Sequence, residues 1–291
     1  MLRAHVERFW GWEEPASLAL PLVTPGLGAE LFFHHGSAPH VAKADGSEPL
    51  ERAHLLCVRD TPLRLLEQPN VGFTAVRIRA GALGRFTRVP LRELKDTQIG
   101  IQELWGRAGA ELEERVAAAE SFEARTRLIE DFLLRRLAET AFDPWLERAL
   151  ARIYREPATI AVETLAEQCG LSRRQFERRI ADYFGQSPVE LRRLARFFHV
   201  ARRMVLEPAT DPLASALDVG YYDQSHFIRE FKRFTGMAPQ AFRRATAALT
   251  HFYNPPEAPL ARLSFPSRSP NHDRVTRGAA RSPAAPGRGS H

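Results

Sequence analysis

The 291-residue sequence has few cysteines and no long apolar run, and each absence excludes a class of protein. Its two cysteines, Cys57 and Cys169, form no CxxC motif, so they supply neither a disulfide framework nor a structural zinc site. We expect both to pack as small apolar side chains. No uninterrupted apolar stretch approaches the roughly 18 residues that a membrane-spanning helix needs. The sequence therefore predicts a soluble protein.

The first residues, MLRAHVERFWGWEEP, also lack the continuous apolar segment of a signal peptide, which predicts a cytoplasmic location. Positive charge, by contrast, is in excess: 41 Lys and Arg against 35 Asp and Glu give a formal net charge of +6. This balance favours an anionic partner, either nucleic acid or a membrane surface. Where the basic residues lie in the sequence must decide between nucleic acid and a membrane surface.

The spacing of apolar residues predicts an α+β fold with two domains and a tail. From residue 19 to 79, short apolar runs such as AELFFHH and FTAVRIR are separated by turn signals, which predicts strands. The segments IQELWGRAGAELEERVAAA and FEARTRLIEDFLLRRLAETA predict two amphipathic helices. We expect a β-rich sensor or dimerisation domain with these helices over residues 1–140, an all-α domain over 141–250, and a disordered Pro/Arg/Ser-rich tail over 251–291.

Apolar, histidine and tryptophan residues in the first half each allow a structural and a functional interpretation. Leu128, Phe132 and Leu137 form an apolar helix face that either packs within the chain or makes a dimer. The histidines of this half are His34, His35, His40 and His54. They include no His-x-His pair with a downstream Glu, so we expect them to occupy strand or loop positions and to form no metal site. The tryptophans are expected to be core or lid anchors; they are Trp10, Trp12 and Trp105.

An internal repeat is the most specific feature of the sequence. The stretch LAEQCGLSRRQFERRIADYFGQSPVELRR resembles ASALDVGYYDQSHFIREFKRFTGMAPQAFRR, which follows about fifty residues later. Ala166 and Gly170 correspond to Ala216 and Gly220. A small residue on one helix, a turning glycine and a new helix predict a helix-turn-helix in each copy. The intervening VELRRLARFFHVARRMVLEP predicts a connecting helix.

The second helix of each copy has a start signal and two distinct faces. Ser172 and Asp223 stand where an N-cap belongs. A helical wheel buries one apolar pair in each helix, namely Phe176 with Ile180 and Phe227 with Phe231. The same wheel turns a basic and hydrogen-bonding set outward, namely Arg174 and Arg178 in the first copy and Ser225, Arg229 and Lys232 in the second. Arginine on a helix in the major groove can pair with guanine O6 and N7.

The run GYYDQSHFIREFKRFTGMAPQAFRR, with LAEQCGLSRRQFERRI before it, resembles the DNA-binding domain of the AraC/XylS family over residues 153–247. The resemblance implies that the second helix of each unit enters successive major grooves of DNA. It assigns base or backbone contacts to Arg173, Arg174, Glu177, Arg178, Gln224, Ser225, His226, Ile228 and Arg229. Glu177 departs from a simple basic face, because it would repel phosphate unless it accepts from a cytosine amine.

The resemblance implies a non-enzymatic, sequence-specific transcription regulator, an activator or a repressor, with promoter DNA and RNA polymerase as partners and no cofactor. The segment FTAVRIRAGALGRFTRVPLRELKDTQIGIQELWG is similar to an uncharacterised N-terminal type among AraC-like regulators. In better-known members that domain is cupin-like and binds a small molecule, so a small-molecule effector and a homodimer are both open. The alternatives are a cupin-like metal-dependent enzyme fused to a DNA-binding domain and an architectural DNA binder.

Overall fold

Strands and helices occupy separate parts of the chain, as the spacing of apolar residues predicts. The structure is a computed structural model that describes residues 2–14, 20, 22–139, 143–207 and 209–246. Within these ranges, every strand lies before residue 101 and the long helices follow. None of the described helices is both long and apolar enough to cross a membrane. The predicted disordered tail and the predicted domain boundary between residues 140 and 141 lie outside the described residues.

The β-rich part contains one large sheet and two small ones. Its strands among the described residues are β1 (Val6–Glu14), β2 (Leu22–Val23), β3 (Ala29–His34), β4 (His40–Lys43), β5 (Gly46–Pro49), β6 (Ala53–Leu56), β7 (Leu63–Arg64), β8 (Val71–Ile78) and β9 (Gln98–Gly100). Five of them form an antiparallel sheet in the order β1-β8-β3-β6-β9, while β2 pairs with β7 and β4 with β5. The strand region predicted from the sequence begins at residue 19 and therefore does not include β1.

Alternating side chains give the large sheet two buried faces, because successive residues of a strand point to opposite sides. On β3, Leu31 and Phe33 belong to the main core cluster that also contains helical residues. Phe32 and His34 point to the other side, where Phe32 packs against a separate cluster that includes Trp10. The structural interpretation of the tryptophans is confirmed, since Trp10, Trp12 and Trp105 are all buried.

The helical part follows the sheet. Its members are α1 (Leu91–Leu94), α2 (Ile101–Trp105), α3 (Arg107–Ala118), α4 (Phe122–Glu139), α5 (Pro144–Arg155), α6 (Val162–Gln168), α7 (Arg173–Phe184), α8 (Pro188–Leu206), α9 (Pro212–Asp218), α10 (Gln224–Thr235) and α11 (Pro239–Thr246). The single helix predicted from residue 101 is wrong, because the chain breaks at Gly106 with φ 60° and ψ −141°, a conformation that favours glycine.

The apolar face of α4 packs within the chain. Phe132 is buried, and Leu128 and Leu137 are partly buried against the main core. Of the two alternatives that the sequence left open for this face, the described residues therefore show packing within the chain.

The two cysteines are free thiols; Cys57 is buried and Cys169 is half-buried. Burial raises the pKa of the Cys57 thiol to about 12, as expected for a packed apolar side chain.

Several polar contacts join the β-rich part to the helical part. In one of them, His5 Nδ1 lies 2.6 Å from Glu147 Oε1 of α5. In another, Asp60 forms an ion pair with Lys95 Nζ at 2.6 Å and accepts a hydrogen bond from the side-chain amide of Gln186, which lies between α7 and α8. The helices that follow residue 143 are therefore seated directly on the β-rich part.

Candidate nucleic-acid interface

The first helix-turn-helix unit is formed by α6 and α7. Helix α6 packs against α7, and Ala166 of α6 is buried. Gly170 turns the chain with a φ of 65°, in the left-handed region that glycine adopts without steric cost. Ser172 then begins α7: its Oγ accepts from Gln175 N at 3.3 Å, and Gln175 Oε1 accepts from Ser172 N at 3.0 Å. This reciprocal pair is a capping box, so the predicted N-cap is confirmed.

The predicted faces of α7 are confirmed. Phe176 and Ile180 are fully buried against the core, whereas Arg174 and Arg178 are exposed on the other side. The buried pair fixes the rotation of the helix about its axis. The two guanidinium groups are thereby presented to solvent from a rigid element.

Arg173 is exposed like Arg174 and Arg178, but it forms an ion pair with Glu177 on the same helix. Arg173 Nε lies 2.9 Å from Glu177 Oε1, one helical turn away, and its Nη1 contacts Glu163 of α6. Because Glu177 is already paired with a cation, its charge is partly neutralised at this surface. The expected repulsion of phosphate by Glu177 is correspondingly reduced.

The second unit, α9 and α10, repeats the construction. Ala216 of α9 is buried, and Gly220 turns the chain with a φ of 93°. A Cβ on Gly220 would lie 3.1 Å from Ala158 Cα, so space as well as conformation restricts this position. Asp223 Oδ1 accepts from His226 N at 2.7 Å and caps α10, as predicted.

The two faces of α10 also agree with the helical wheel. Phe227 and Phe231 are buried, with ring centroids 5.5 Å apart in an edge-to-face arrangement. Ser225, Arg229 and Lys232 are exposed. The second unit therefore presents a basic and hydrogen-bonding surface at the position equivalent to that of the first.

The start of α10 holds the remaining residues assigned by resemblance. Gln224 is exposed, while His226 and Ile228 are half-buried. His226 Nδ1 accepts from Tyr222 N at 3.5 Å, and its Nε2 lies 3.7 Å from Glu230 Oε2, so this imidazole has structural contacts of its own. Tyr222, which the sequence analysis did not single out, directly precedes the capping Asp223 and is 87% exposed.

Helix α8 connects the units and contacts α10 through both charge and aromatic rings, in agreement with the connecting helix predicted. Arg193 Nε lies 2.7 Å from Glu230 Oε2, and the Glu230 side chain is only 1% exposed. Phe197 packs on Phe231 with ring centroids 5.2 Å apart. Arg196 Nη1 donates to Gly220 O at 3.0 Å and so supports the turn of the second unit. These contacts fix α10 relative to the connecting helix.

A cavity lies on the face of the large sheet that points away from α3 and α4. Its volume is about 1050 Å³ with the mouth included. The walls are mainly apolar, and they include Phe32, His34, His54 and Phe73 from the sheet. Phe198 of α8 also lines the cavity. Its ring lies close to Gly26, since a Cβ on Gly26 would be 3.3 Å from Phe198 Cδ2. The connecting helix therefore forms part of the wall.

The histidines separate into two groups. His34 and His54 are both buried and stacked, with ring centroids 5.3 Å apart, whereas His35 and His40 are half-buried and do not line the cavity. In the part of the chain that the structure describes, no group of three or more His, Cys, Asp or Glu side chains is arranged to hold a metal ion. The sequence analysis placed His34 and His54 on strands or loops but gave no reason to bring them together.

Two exposed basic helices, each held by a buried aromatic residue and a capped start, define a tandem helix-turn-helix protein. A family model described as a helix-turn-helix domain matches residues 165–245, which span both units. An uncharacterised HTH-type transcriptional regulator of Haemophilus influenzae is 30% identical over 106 residues, or 36% of this chain. The match covers 35% of that relative, so this chain spans about a third of its length.

Among solved structures, ToxT from Vibrio cholerae is 13% identical, with a TM-score of 0.49, over 82% of this chain and 97% of that one. The DNA-binding domain of AdpA, solved in complex with a target DNA, is 27% identical, with a TM-score of 0.33, over 37% of this chain and 96% of that one. Residues 165–245 form an AraC-type helix-turn-helix domain, and the chain is homologous there to HTH-type transcriptional regulators.

Proposed function

We propose that the protein is a transcription factor that binds specific promoter sequences in double-stranded DNA, in the bacterial cytoplasm. The observation that carries the proposal is the repeated presentation of exposed side chains: Arg174 and Arg178 on α7, and Ser225, Arg229 and Lys232 on α10. Helices of this width fit the major groove, where arginine and serine can read base edges. Two units that read neighbouring turns on one side of the duplex must be spaced by about one helical turn, roughly 34 Å.

The direct test is selection of bound fragments from the genome of the source organism with the full-length chain. A promoter regulator should enrich a small set of sites upstream of genes. It should prefer a selected site to random duplex by about a thousandfold or more in competition binding. Equal affinity for random duplex would contradict the proposal and favour an architectural binder, which uses phosphate contacts without sequence choice.

The reading residues are tested by Arg178→Ala and Arg229→Ala. Each should weaken binding to the selected site by roughly 5- to 150-fold, because a good arginine-guanine pair contributes about 1–3 kcal/mol. Arg107→Ala is the matched control, since this arginine is 93% exposed but lies on α3, away from both units. Removing the same charge there should change affinity by less than about twofold. Unchanged affinity in both test variants would remove α7 and α10 from the interface.

We also propose that a small-molecule effector binds in the cavity beside α8. The supporting observation is that Phe198, a residue of the helix that connects the two units, lines the cavity. Arg77 of β8 lies 5.3 Å from the centroid of the Phe198 ring, which couples this residue to the sheet as well. An occupant of the cavity would touch a side chain of α8 directly. Its binding could then alter how α7 and α10 are presented to DNA and how the bound regulator acts on RNA polymerase.

A further inference from the structure

The cavity contains one buried polar side chain that has no partner. Neither ring nitrogen of His34 makes a hydrogen bond to any described residue, although both nitrogens are buried. A buried polar group without a partner costs about 1–3 kcal/mol, so it is rarely left so without a reason. His34 lines the cavity, and a ligand there could supply the missing hydrogen bond.

His34 belongs to a stack of three rings on one face of the sheet. Phe32 is a neighbour of both histidines: its ring centroid is 6.1 Å from that of His34 and 5.4 Å from that of His54, with interplanar angles of 11° and 18°. Phe73 of the neighbouring strand meets His34 at 5.8 Å. Packing against these rings orients His34, whereas His54 is also held by a hydrogen bond to the Glu51 carbonyl oxygen.

The hydrogen bonds of His34 and His54 restrict which hydrogen-bonding group the ligand can carry. His54 Nδ1 lies 2.8 Å from the Glu51 carbonyl oxygen, so it carries the proton and donates, which leaves Nε2 as an acceptor. His34 can donate or accept, because nothing fixes its tautomer. The two ring centroids are 5.3 Å apart, so a single polar group in the cavity can lie near both imidazoles. A hydroxyl both donates and accepts through one oxygen.

The charges around the cavity favour a neutral ligand. Burial lowers the pKa of His54 to about 4 and that of His34 well below its ordinary value, so both rings are uncharged near neutral pH. Arg77 already lies 3.7 Å from Glu7 and 3.9 Å from Glu30. The other arginine of the wall, Arg59, donates to the backbone carbonyls of Thr61 and Thr97.

We propose that the cavity binds a neutral, mainly apolar small molecule that carries a hydroxyl group, and that His34 and His54 hydrogen-bond this hydroxyl. The proposal rests on the effector function proposed above and specifies the chemical class of the effector. An apolar body fits the apolar walls. The hydroxyl gives a hydrogen-bond partner to His34, whose ring nitrogens have none among the described residues.

The test uses three probes of similar size with the full-length protein at pH 7.5: 4-propylphenol, propylbenzene and 4-propylbenzoate. Binding is followed by calorimetry and by tryptophan fluorescence, since Trp10 lies 5.0 Å from Phe73 of the cavity wall. 4-Propylphenol should bind at least about tenfold more tightly than either other probe, because one satisfied buried hydrogen bond is worth roughly that factor. Benzoate binding that equals or exceeds phenol binding would overturn the proposal, and so would failure of the phenol to bind.

His34→Phe keeps the ring stack and removes both nitrogens. It should abolish the preference for phenol over propylbenzene while propylbenzene still binds, whereas His34→Gln, which retains a donor and an acceptor, should keep part of the preference. His40→Phe, at a half-buried histidine outside the cavity, is the control and should retain it fully. Far-ultraviolet circular dichroism establishes that each variant is folded. A preference that survives His34→Phe would overturn the assignment.

Failure of this inference and failure of the DNA-binding proposal are distinguishable. Phenol titration is measured without DNA, and competition binding of duplexes is measured without phenol. A chain that selects promoter sites but ignores the phenol contradicts only the ligand class. A chain that binds the phenol through His34 but prefers no duplex contradicts only the transcription factor assignment.

Discussion

Removing the Arg193 side chain should weaken the second helix-turn-helix unit more than its position near the surface suggests. Arg193 of α8 reaches Glu230 of α10 at 2.7 Å, and its own side chain is 34% exposed. The carboxylate is different, because only 1% of the Glu230 side chain reaches solvent. In Arg193→Ala the cation leaves and the buried carboxylate stays.

The loss of stability in Arg193→Ala depends on the environment in which the Glu230 carboxylate is left. Breaking a buried ion pair by removing one partner costs about 3–5 kcal/mol, since the other charge remains buried. Partial exposure of Arg193 screens the pair, so we expect the lower end, about 3 kcal/mol. For comparison, domain stabilities are about 5–15 kcal/mol in total. Replacing both residues by leucine should cost much less, because no buried charge is left.

The assay is urea denaturation of the full-length chain, together with binding to a selected DNA site. Arg107→Ala is a matched control: the Arg107–Glu111 pair has the same 2.7 Å separation but side chains that are 93% and 57% exposed. It should cost no more than about 0.5 kcal/mol. Equal losses in Arg193→Ala and Arg107→Ala would refute the reasoning. So would a double leucine variant that is less stable than Arg193→Ala.

Three further outcomes follow from the packing and the titratable groups. Phe227→Ala should reduce the free energy of unfolding by about 3–5 kcal/mol, because it leaves a void beside Phe231, and denaturation would show it. Gly220→Ala should lower the melting temperature, since φ is 93° and the added Cβ would lie 3.1 Å from Ala158 Cα; an unchanged melting temperature would show that the turn relaxes. The folded state depresses the pKa of His54 to about 4, so the unfolded state binds more protons below the ordinary pKa of about 6.5. Stability should therefore fall by up to about 3 kcal/mol between pH 6.5 and pH 4, and a denaturation midpoint independent of pH over this window would contradict the assignment.

The helical half could be predicted in detail because its determinants are local and occur twice. Ser172 and Asp223 precede their helices by one position, and Phe176 and Phe227 stand at equivalent places in the two copies. Capping and one-sided burial depend on neighbours within a helical turn or two. A wheel drawn from sequence therefore placed Arg178 on the exposed side correctly. Contact between these side chains and DNA stays a prediction.

The strand-rich half was less accessible, since its features depend on residues far apart in sequence. Strand β1 was missed, although Trp10 and Trp12 alternate as a half-buried strand requires. The cavity could not have been predicted, because His34, His54 and Phe198 come from two strands and a distant helix. No local pattern states that these three side chains meet.

If the first unit binds DNA as proposed, the contacts of Arg173 should affect its selectivity. In the absence of DNA this guanidinium is already held by Glu177 at 2.9 Å and by Glu163. A phosphate that approaches α7 must compete with two carboxylates of the protein itself, so random polyanions gain little from this residue. We expect a duplex that also contacts Arg174 and Arg178 to displace these carboxylates more readily than a random polyanion. The acidic pair would thus act as an internal competitor that raises the threshold for nonspecific association.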